Sequence, residues 1–218
     1  MNVFALVPLD AGDTPGTGAL TRTRGAPLLT HCVRGLLHAG CVDRIVLAWP
    51  PGGDPAPWWH EITPELSAPT TVHTVTGGAD RASSAWRAFD AAAPTAADVV
   101  LVHDATRPFT RPGTIRAVVD AVRGGAEAVV PTVPVTDTVK TVGSDGVVAG
   151  TRDRDGLREA QAPFGFSGAV LGHADFSDPL STCGAVVCTV AGHPAGMRVR
   201  TAFDHTVIDA LLEAEEAR

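Results

Sequence analysis

The segment VHDATRP, residues 102–108, places a carboxylate and a guanidinium three residues apart, directly after an apolar strand. Asp104 is suited to hold hydroxyl groups or a metal-bound phosphate, and Arg107 can bind a phosphate through two parallel N–H donors. A purely structural ion pair gains little here, because both charges lose their hydration at the end of a buried strand. We therefore interpret Asp104 and Arg107 as site residues, and His103 as a packed strand-end residue.

A second loop, residues 77–84, reads GGADRASS and leads into a helix. Gly77 and Gly78 let the backbone approach a ligand closely, and the free N–H groups of a helix start favour an anion or a base-edge acceptor. Capping of the helix by Asp80 or Ser83 explains the same residues without any ligand. Both interpretations stay open on these residues alone.

A third glycine-rich segment, residues 9–18, contains no lysine, and the first cation after it is Arg22. A Walker loop needs a lysine followed by Ser or Thr, and a dinucleotide fingerprint needs a glycine where Thr21 stands, so neither motif is present. The segment is either a flexible surface loop or a phosphate site of another kind. Asp10 and Asp13 would repel a triphosphate unless Mg²⁺ lies between them.

The elements that must position these loops alternate along the first 130 residues. Apolar and β-branched runs predict strands at Val3–Val7, Arg44–Ala48, Thr70–Val75, Asp98–Val102 and Ala126–Val130. Helices are predicted between them at Leu28–Ala39, near Trp58–Leu66, at Arg81–Ala92 and at Thr114–Val122. This alternation predicts an α/β protein with a Rossmann-like, doubly wound, mainly parallel sheet. The three loops follow strands one, three and four, so they should meet in the crevice beyond the carboxyl ends of the strands.

The alternation stops after Pro131. Two extended segments flank Asp145-Gly146, a pair suited to a tight hairpin turn, and such a protruding hairpin covers a site or clasps another subunit. A strand at Ala185–Val190 returns to the sheet, and an amphipathic helix at Phe203–Ala217 closes the chain. We expect a single domain over residues 1–218, with a β-hairpin arm at approximately 136–154.

The composition excludes several classes of protein. The formal charge of −7 and the absence of any basic run make nucleic acid an unfavourable partner. No apolar run reaches the roughly 20 residues of a membrane span, and we expect a cytoplasmic protein. The four cysteines form no C-x-x-C pair, which favours reduced thiols over disulfides or a zinc site.

Three segments together, VLVHDATRPF, PVTDTVK and RDGLREAQAPFGF, resemble the 2-C-methyl-D-erythritol 4-phosphate cytidylyltransferase family, and the similarity spans nearly the whole chain. The resemblance implies transfer of CMP from CTP to a sugar-alcohol phosphate with release of pyrophosphate. It also implies Mg²⁺, bound mainly through the CTP phosphates and without a dedicated set of protein ligands, and a homodimer clasped by the β-arm.

The resemblance also implies roles for individual residues. Nucleotide contacts would come from Ala11, Gly12, Gly78, Ser84, Asp104 and Ala105. Contacts with the alcohol phosphate would come from Asp104, Arg107 and Arg198, and from Thr138 and Arg154 of the partner's arm. Arg198 stands where the family has a lysine before a Val-Thr pair, so the charge is kept with altered geometry.

Several positions depart from the family pattern. The place of the first-loop lysine falls near Ala19, the acid after the Gly-Gly pair is Ala79, and Ala162 replaces a threonine. One hypothesis is an active enzyme in which Arg22 and Arg24, together with Arg198, supply the catalytic charge. A second is a weak or inactive paralogue that keeps the dimer and a nucleotide- or phosphate-binding crevice. A third, another nucleotide-dependent transferase, would use Asp153-Arg154-Asp155 as a D-x-D motif.

Overall fold

The computed structural model describes residues 1–14, 16–63, 66 and 70–216. The strands within these residues are β1 (Val3–Pro8), β2 (Arg22–Thr23), β3 (Ala26–Pro27), β4 (Arg44–Trp49), β5 (Thr71–Thr76), β6 (Val99–Val102), β7 (Ala128–Pro134), β8 (Val139–Val142), β9 (Val148–Arg152), β10 (Arg158–Ala160), β11 (Phe164–Ser167) and β12 (Val187–Ala191). The α-helices are α1 (Leu28–Ala39), α2 (Ala56–Ile62), α3 (Arg81–Ala92), α4 (Pro112–Arg123), α5 (Gly168–Leu171), α6 (Pro179–Thr182) and α7 (Ala202–Glu216).

The central sheet is mixed and mostly parallel. Seven of its eight strands follow the order β10-β7-β11-β6-β1-β4-β5. The eighth strand, β12, lies outside this order and pairs with β7. The pairs β1–β4, β1–β6 and β4–β5 are parallel, as the alternation of strands and helices predicted. The pair β7–β12 is parallel as well. The Rossmann-like α/β fold is therefore confirmed.

The sheet is covered on both faces, which explains the continuous apolar runs of its central strands. Alternate residues of β1 point to opposite sides: Val3, Ala5 and Val7 pack with α1 and α4, whereas Phe4 and Leu6 pack with α3. Helices α1 and α3 have the predicted bounds, and the five predicted strands differ from the observed ones only at their ends. Of the predicted helix near Trp58–Leu66, residues 64 and 65 lie outside the described residues, as does Ala217 at the predicted end of α7.

Two strands of the central sheet, β10 and β11, were not predicted. β11 inserts between β6 and β7 and runs antiparallel to both. Its sequence, FGFS, is short and contains a glycine, so it lacks the pattern of a buried strand. The glycine is required by packing, because a Cβ on Gly165 would lie 2.3 Å from Val118 Cγ1 in α4.

The predicted hairpin is present as a separate two-stranded sheet. β8 and β9 are antiparallel, and Gly146 in the turn has φ +78°, a conformation that glycine adopts without strain. Its role in dimerisation stays a prediction. No helix in the described part of the chain is long and apolar enough to cross a membrane.

Candidate active site

Asp104 lies directly after β6, at the carboxyl end of the parallel strands, and its side chain is buried. Its Oδ1 accepts hydrogen bonds from Thr106 N at 3.0 Å and Thr106 Oγ1 at 2.6 Å. Two arginines from distant segments flank the carboxylate: Arg81 Nη2 is 3.3 Å from Oδ1, and Arg198 Nη2 is 2.6 Å from Oδ2. The fold therefore assembles a fixed anion between two cations.

This arrangement controls the ionisation of Asp104. Burial by itself raises the pKa of the carboxyl, but the charges of Arg81 and Arg198 and the hydrogen bonds from Thr106 outweigh burial and hold the pKa well below its usual range. Asp104 is thus a permanent carboxylate, able to accept hydrogen bonds from hydroxyl groups of a ligand.

Arg107 is buried and ties three segments together. Its Nη1 donates to Gly196 O at 2.7 Å and its Nη2 donates to Ala160 O at 3.0 Å, while its own backbone N–H donates to Asp104 O. Burial lowers the pKa of this guanidinium, which nevertheless stays charged at neutral pH. Arg107 lines the cavity described below and supports its walls, while its predicted contact with a phosphate stays a prediction.

His103 is fully buried beside Asp104. Its Nδ1 accepts the Asp104 backbone N–H at 3.0 Å, which leaves the proton of the neutral ring on Nε2. Nε2 has no hydrogen-bond partner among the described residues. Burial lowers the pKa of His103 to about 4, so the ring is neutral at pH 7. The packed position agrees with the sequence interpretation, and the free Nε2–H is a property that the sequence did not reveal.

These groups line a cavity of about 710 Å³. Its polar wall carries Arg81, His103, Asp104, Arg107 and Arg198, and its apolar wall is formed chiefly by Val102, Phe164, Phe176 and Pro179. A cavity of this size with a few convergent polar groups is typical of a small-molecule site.

The loop before α3 is held by its own hydrogen bonds. The Asp80 carboxylate accepts the Ser83 N–H at 2.7 Å and the Ser83 hydroxyl accepts the Asp80 N–H at 3.1 Å, so the capping interpretation is confirmed. Gly78 N donates to the buried Ser84 Oγ at 3.0 Å, which pairs two predicted nucleotide-binding residues with each other. Their contact with a nucleotide stays a prediction, as does that of the buried Ala105.

The first glycine-rich loop is organised by Asp13 and Asp10. Asp13 accepts the Ala19 N–H at 2.6 Å and the Asp10 N–H at 2.9 Å, and Asp10 accepts the Gly12 N–H at 2.7 Å. Burial of Asp13 raises the pKa of its carboxyl. Gly18 has φ +52° and packs against Asp13, since a Cβ there would lie 2.1 Å from Asp13 Oδ1. In its described part the loop is held by hydrogen bonds to these two carboxylates.

This loop forms one wall of a smaller cavity of about 290 Å³. The opposite wall shares Arg81, Asp104 and Arg198 with the larger cavity and adds Thr106 and Arg200. Gly12 lies in this wall, whereas Ala11 lines a neighbouring pocket with Pro50 and Gly52. The nucleotide contacts of both residues stay predictions. No group of three or more metal-binding side chains occurs in the ranges that the structure describes.

The structure does not bring Arg22 or Arg24 to either cavity. Arg22 pairs with Glu61 at 3.1 Å and donates to Gly25 O, beside the apolar pocket of Trp49 and Trp58. Arg24 pairs with Glu216 of α7 at 2.8 Å. The predicted catalytic role of these two residues therefore finds no support in their positions, while the third predicted residue, Arg198, lies at the centre of the site.

Thr138 and Arg154 lie on the arm, away from both cavities of the same chain. Both are exposed, and Arg154 donates to Thr136 O at the base of the arm. Their predicted substrate contacts require the partner's site, as the resemblance implied.

Arg81, Thr106 and Arg200 are site residues that sequence reasoning missed. Arg81 directly follows the helix cap in a loop already selected, and Thr106 lies inside the VHDATRP segment. Arg200 stands two residues beyond Arg198 in an extended segment, with the buried Val199 between them. That i, i+2 spacing, which places two side chains on one side of an extended chain, was the available signal.

Comparisons with known proteins show the family of this chain. The family model described as 2-C-methyl-D-erythritol 4-phosphate cytidylyltransferase matches residues 17–214. The enzyme of that name from Saccharopolyspora erythraea is 42% identical over 228 residues, which cover 97% of this chain and 100% of the relative. The one from Nocardia farcinica is 40% identical over 229 residues, covering 99% of this chain and 96% of the relative.

Solved structures share the fold. The 2-C-methyl-D-erythritol 4-phosphate cytidylyltransferase from Thermus thermophilus superposes with a TM-score of 0.76 at 24% identity, covering 98% of this chain and 100% of that one. The 4-diphosphocytidyl-2C-methyl-D-erythritol synthase from Anaerococcus prevotii gives a TM-score of 0.80 at 21% identity, covering 97% and 98% of the two chains. The match to the family model and the two close relatives show that this chain belongs to the 2-C-methyl-D-erythritol 4-phosphate cytidylyltransferase family.

Proposed function

We propose that the protein transfers CMP from CTP to 2-C-methyl-D-erythritol 4-phosphate and releases pyrophosphate, a step of isoprenoid precursor synthesis. The observation that carries the proposal is the buried Asp104 carboxylate, which lies between Arg81 and Arg198 and lines both cavities with them. The curated relatives bear the name of this activity. The family match and the names of the relatives give no support to the inactive paralogue. Asp153-Arg154-Asp155 lies beside the exposed arm, which disfavours a D-x-D transferase.

The chemistry requires positive charge more than a general base. An oxygen of the phosphate monoester attacks the α-phosphorus of CTP, a new P–O bond forms, and the bond to the bridging oxygen of the departing pyrophosphate breaks. The monoester oxygen is already a competent nucleophile at neutral pH. Arginine donors that hold the phosphoryl oxygens would stabilise the charge that develops in the transition state.

The chain's residues divide this work between the two cavities. In the proposed complex, Asp104 accepts hydrogen bonds from hydroxyl groups, and the charge of Arg198 faces the phosphates where the cavities meet. Arg107 holds the segments around Ala160 and Gly196 in place, because it donates hydrogen bonds to the backbone oxygens of both residues. Gly12 belongs to the smaller cavity, whose glycine-containing wall permits close approach of a polyphosphate.

The oxygen ligands that Mg²⁺ prefers are present beside this cavity. Both oxygens of Asp13 accept backbone N–H groups, whereas Asp10 accepts one through Oδ1, so Asp10 Oδ2 is the less engaged oxygen that would hold the ion together with the CTP phosphates. Bound there, Mg²⁺ would neutralise charge on the transferred and departing phosphoryl groups.

We also propose that the active form is a single-domain homodimer in the cytoplasm, clasped by the arm of residues 136–154. Val142, Val147 and Val148 of the arm are 56%, 61% and 59% exposed, an unusual apolar group for an isolated two-stranded sheet. Burial of these valines against a second copy would also bring Thr138 and Arg154 to the partner's cavity.

The test is release of pyrophosphate by purified protein supplied with CTP, Mg²⁺ and 2-C-methyl-D-erythritol 4-phosphate. Asp104→Asn removes the anion and should lower kcat/KM by roughly a hundredfold or more. Arg87→Ala, on the exposed side of α3, removes a charge outside the site and should leave the rate unchanged. Absence of pyrophosphate release by the parent chain, with the concentrations of CTP and 2-C-methyl-D-erythritol 4-phosphate both varied, would refute the proposal.

A further inference from the structure

The smaller cavity contains a cation that the family pattern does not supply. Its walls carry Asp10 and Asp13 on one side and Arg81, Asp104, Arg198 and Arg200 on the other. The family resemblance has a Val-Thr pair after the position of Arg198, and this chain has Val199 and Arg200 there. The extra guanidinium therefore faces the same glycine-rich loop in which the family's lysine has no counterpart.

The other arginines near the site are already engaged. Arg81 and Arg198 both pair with Asp104, and Arg107 donates to two carbonyl oxygens. Arg22 and Arg24 pair with glutamates elsewhere. Within the part of the chain that the structure describes, the guanidinium of Arg200 has neither an ion-pair nor a hydrogen-bond partner, so it is available to an anionic ligand.

Lysines offer no substitute. Lys140 is the only lysine of the chain, and its Nζ donates to Thr151 Oγ1 at 2.6 Å across the arm. Positive side-chain charge for a polyphosphate in the smaller cavity must therefore come from arginine.

The backbone that carries Arg200 is firmly placed. Val199 is buried and its N–H donates to Thr106 O at 2.8 Å, which anchors the segment to the Asp104 loop. The N–H groups of Arg200 and Thr201 both donate to Asp204 Oδ2, at 2.9 and 2.8 Å. A long side chain with a free charged group thus projects from a fixed backbone, which reduces the entropy lost when it binds a ligand.

The charges of the cavity also indicate the kind of ligand. Three arginines face three carboxylates, so a compact monophosphate would find little net attraction, whereas an extended polyphosphate can reach past Asp104 toward the unpaired guanidinium. We propose that Arg200 binds the β- and γ-phosphates of the nucleoside triphosphate and the pyrophosphate product, in place of a cation from the first loop. This inference rests on the proposed function and adds a residue to it.

The test compares ligands that differ only in their terminal phosphates. CTP, CMP and pyrophosphate are titrated in the presence of Mg²⁺ into the parent protein, Arg200→Ala, Arg200→Lys and the control Arg87→Ala. Loss of a charge-assisted hydrogen bond predicts that Arg200→Ala weakens CTP and pyrophosphate by roughly tenfold or more. CMP should change less than about twofold, Arg87→Ala should match the parent, and Arg200→Lys should recover part of the loss.

The outcomes separate this inference from the proposed function. Arg200→Ala should unfold at the parent's temperature, because the side chain it removes is exposed and makes no bond within the described residues. An active parent whose Arg200→Ala variant binds CTP and CMP unchanged, or loses both equally, would overturn the role of Arg200 alone. A parent that neither binds CTP nor turns over would overturn the proposed function and this inference together.

Discussion

The carboxylate of Asp13 accepts the backbone N–H of Ala19 at 2.6 Å, at the place in the first loop where the family pattern carries a lysine. Ala19 is buried in the apolar core, so its own side chain does not line the cavity. The acidic residues that looked unfavourable beside a triphosphate therefore have a structural task. They accept hydrogen bonds from the N–H groups of this loop, and the cation that the family places in the loop is supplied, in our proposal, by Arg200.

Removal of this carboxylate should loosen the loop. Asp13→Ala leaves the N–H groups of Ala19 and Asp10 without their acceptors, which predicts a loss of about 1–3 kcal/mol in the free energy of unfolding. Denaturant titration measures this loss, and calorimetry should show weaker CTP binding by the same variant. Asp13→Asn retains one acceptor oxygen and should lose less. Equal stability of Asp13→Ala and the parent would contradict the structural task of Asp13.

The neutral, buried His103 predicts a decline of stability in mild acid. Its pKa is about 4 in the folded protein against an ordinary value of 6.5, so the unfolded chain binds the extra proton first as pH falls. The contribution of the neutral ring to the free energy of unfolding is fully present above pH 6.5 and is lost between pH 6.5 and 4. It amounts to roughly 3 kcal/mol. Arg81 and Arg107 oppose its protonation, whereas Asp104 favours it, and burial dominates.

Unfolding of the parent and of His103→Gln, measured at pH 7.5, 6, 5 and 4, isolates this effect. The parent should lose more stability than the variant over the interval, because the glutamine does not titrate. Parallel pH profiles for the two proteins would show that His103 is not held in its neutral form.

Gly165 in β11 and Gly113 in α4 offer a matched comparison of a tightly packed and an open glycine position. A Cβ on Gly165 would lie 2.3 Å from Val118 Cγ1 and 3.2 Å from Val122 Cγ2, so Gly165→Ala should cost about 1–3 kcal/mol through overpacking. A Cβ on Gly113, in the first turn of α4, meets nothing within 4 Å. Gly113→Ala should be neutral or stabilising by up to about 1 kcal/mol. Thermal unfolding of both variants decides, and a neutral Gly165→Ala would contradict the close contact of β11 with α4.

The exposed valines of the arm predict a concentration-dependent assembly. Replacing Val147 and Val148 by aspartate places two charges in the proposed dimer contact and should give a monomer by light scattering. Turnover by this monomer should fall, because Thr138 and Arg154 then lose access to the partner's cavity. Lys140→Ala serves as a control, because it changes the arm without placing a negative charge in the proposed apolar contact. A fully active monomer would contradict both the dimer and the shared site.

Local patterns were enough to predict most of the frame. Helices α1 and α3 and the strands that surround them have strong periodicity, and each buries its apolar side against a neighbour that the alternation itself implies. Asp104 was recognisable because a carboxylate at the end of a buried strand is costly without a partner. Its ligand class came from the resemblance of the surrounding segments to a known family.

The remaining features depend on residues that are distant in the chain. β11 is a strand because Gly165 lets it approach α4, a contact that its own four residues do not announce. Arg81, Asp104 and Arg200 come from three separate loops, so only the folded chain brings their charges to one cavity.

The sequence by itself determined the alternation of strands and helices over the first 130 residues, the α/β class and the importance of Asp104, since each depends on residues near one another in the chain. The tertiary structure decided which cations are free. Ion pairing engages Arg22 with Glu61 and Arg24 with Glu216, and it leaves Arg200 unpaired among the described residues, because a charge's partners are set by distances through space.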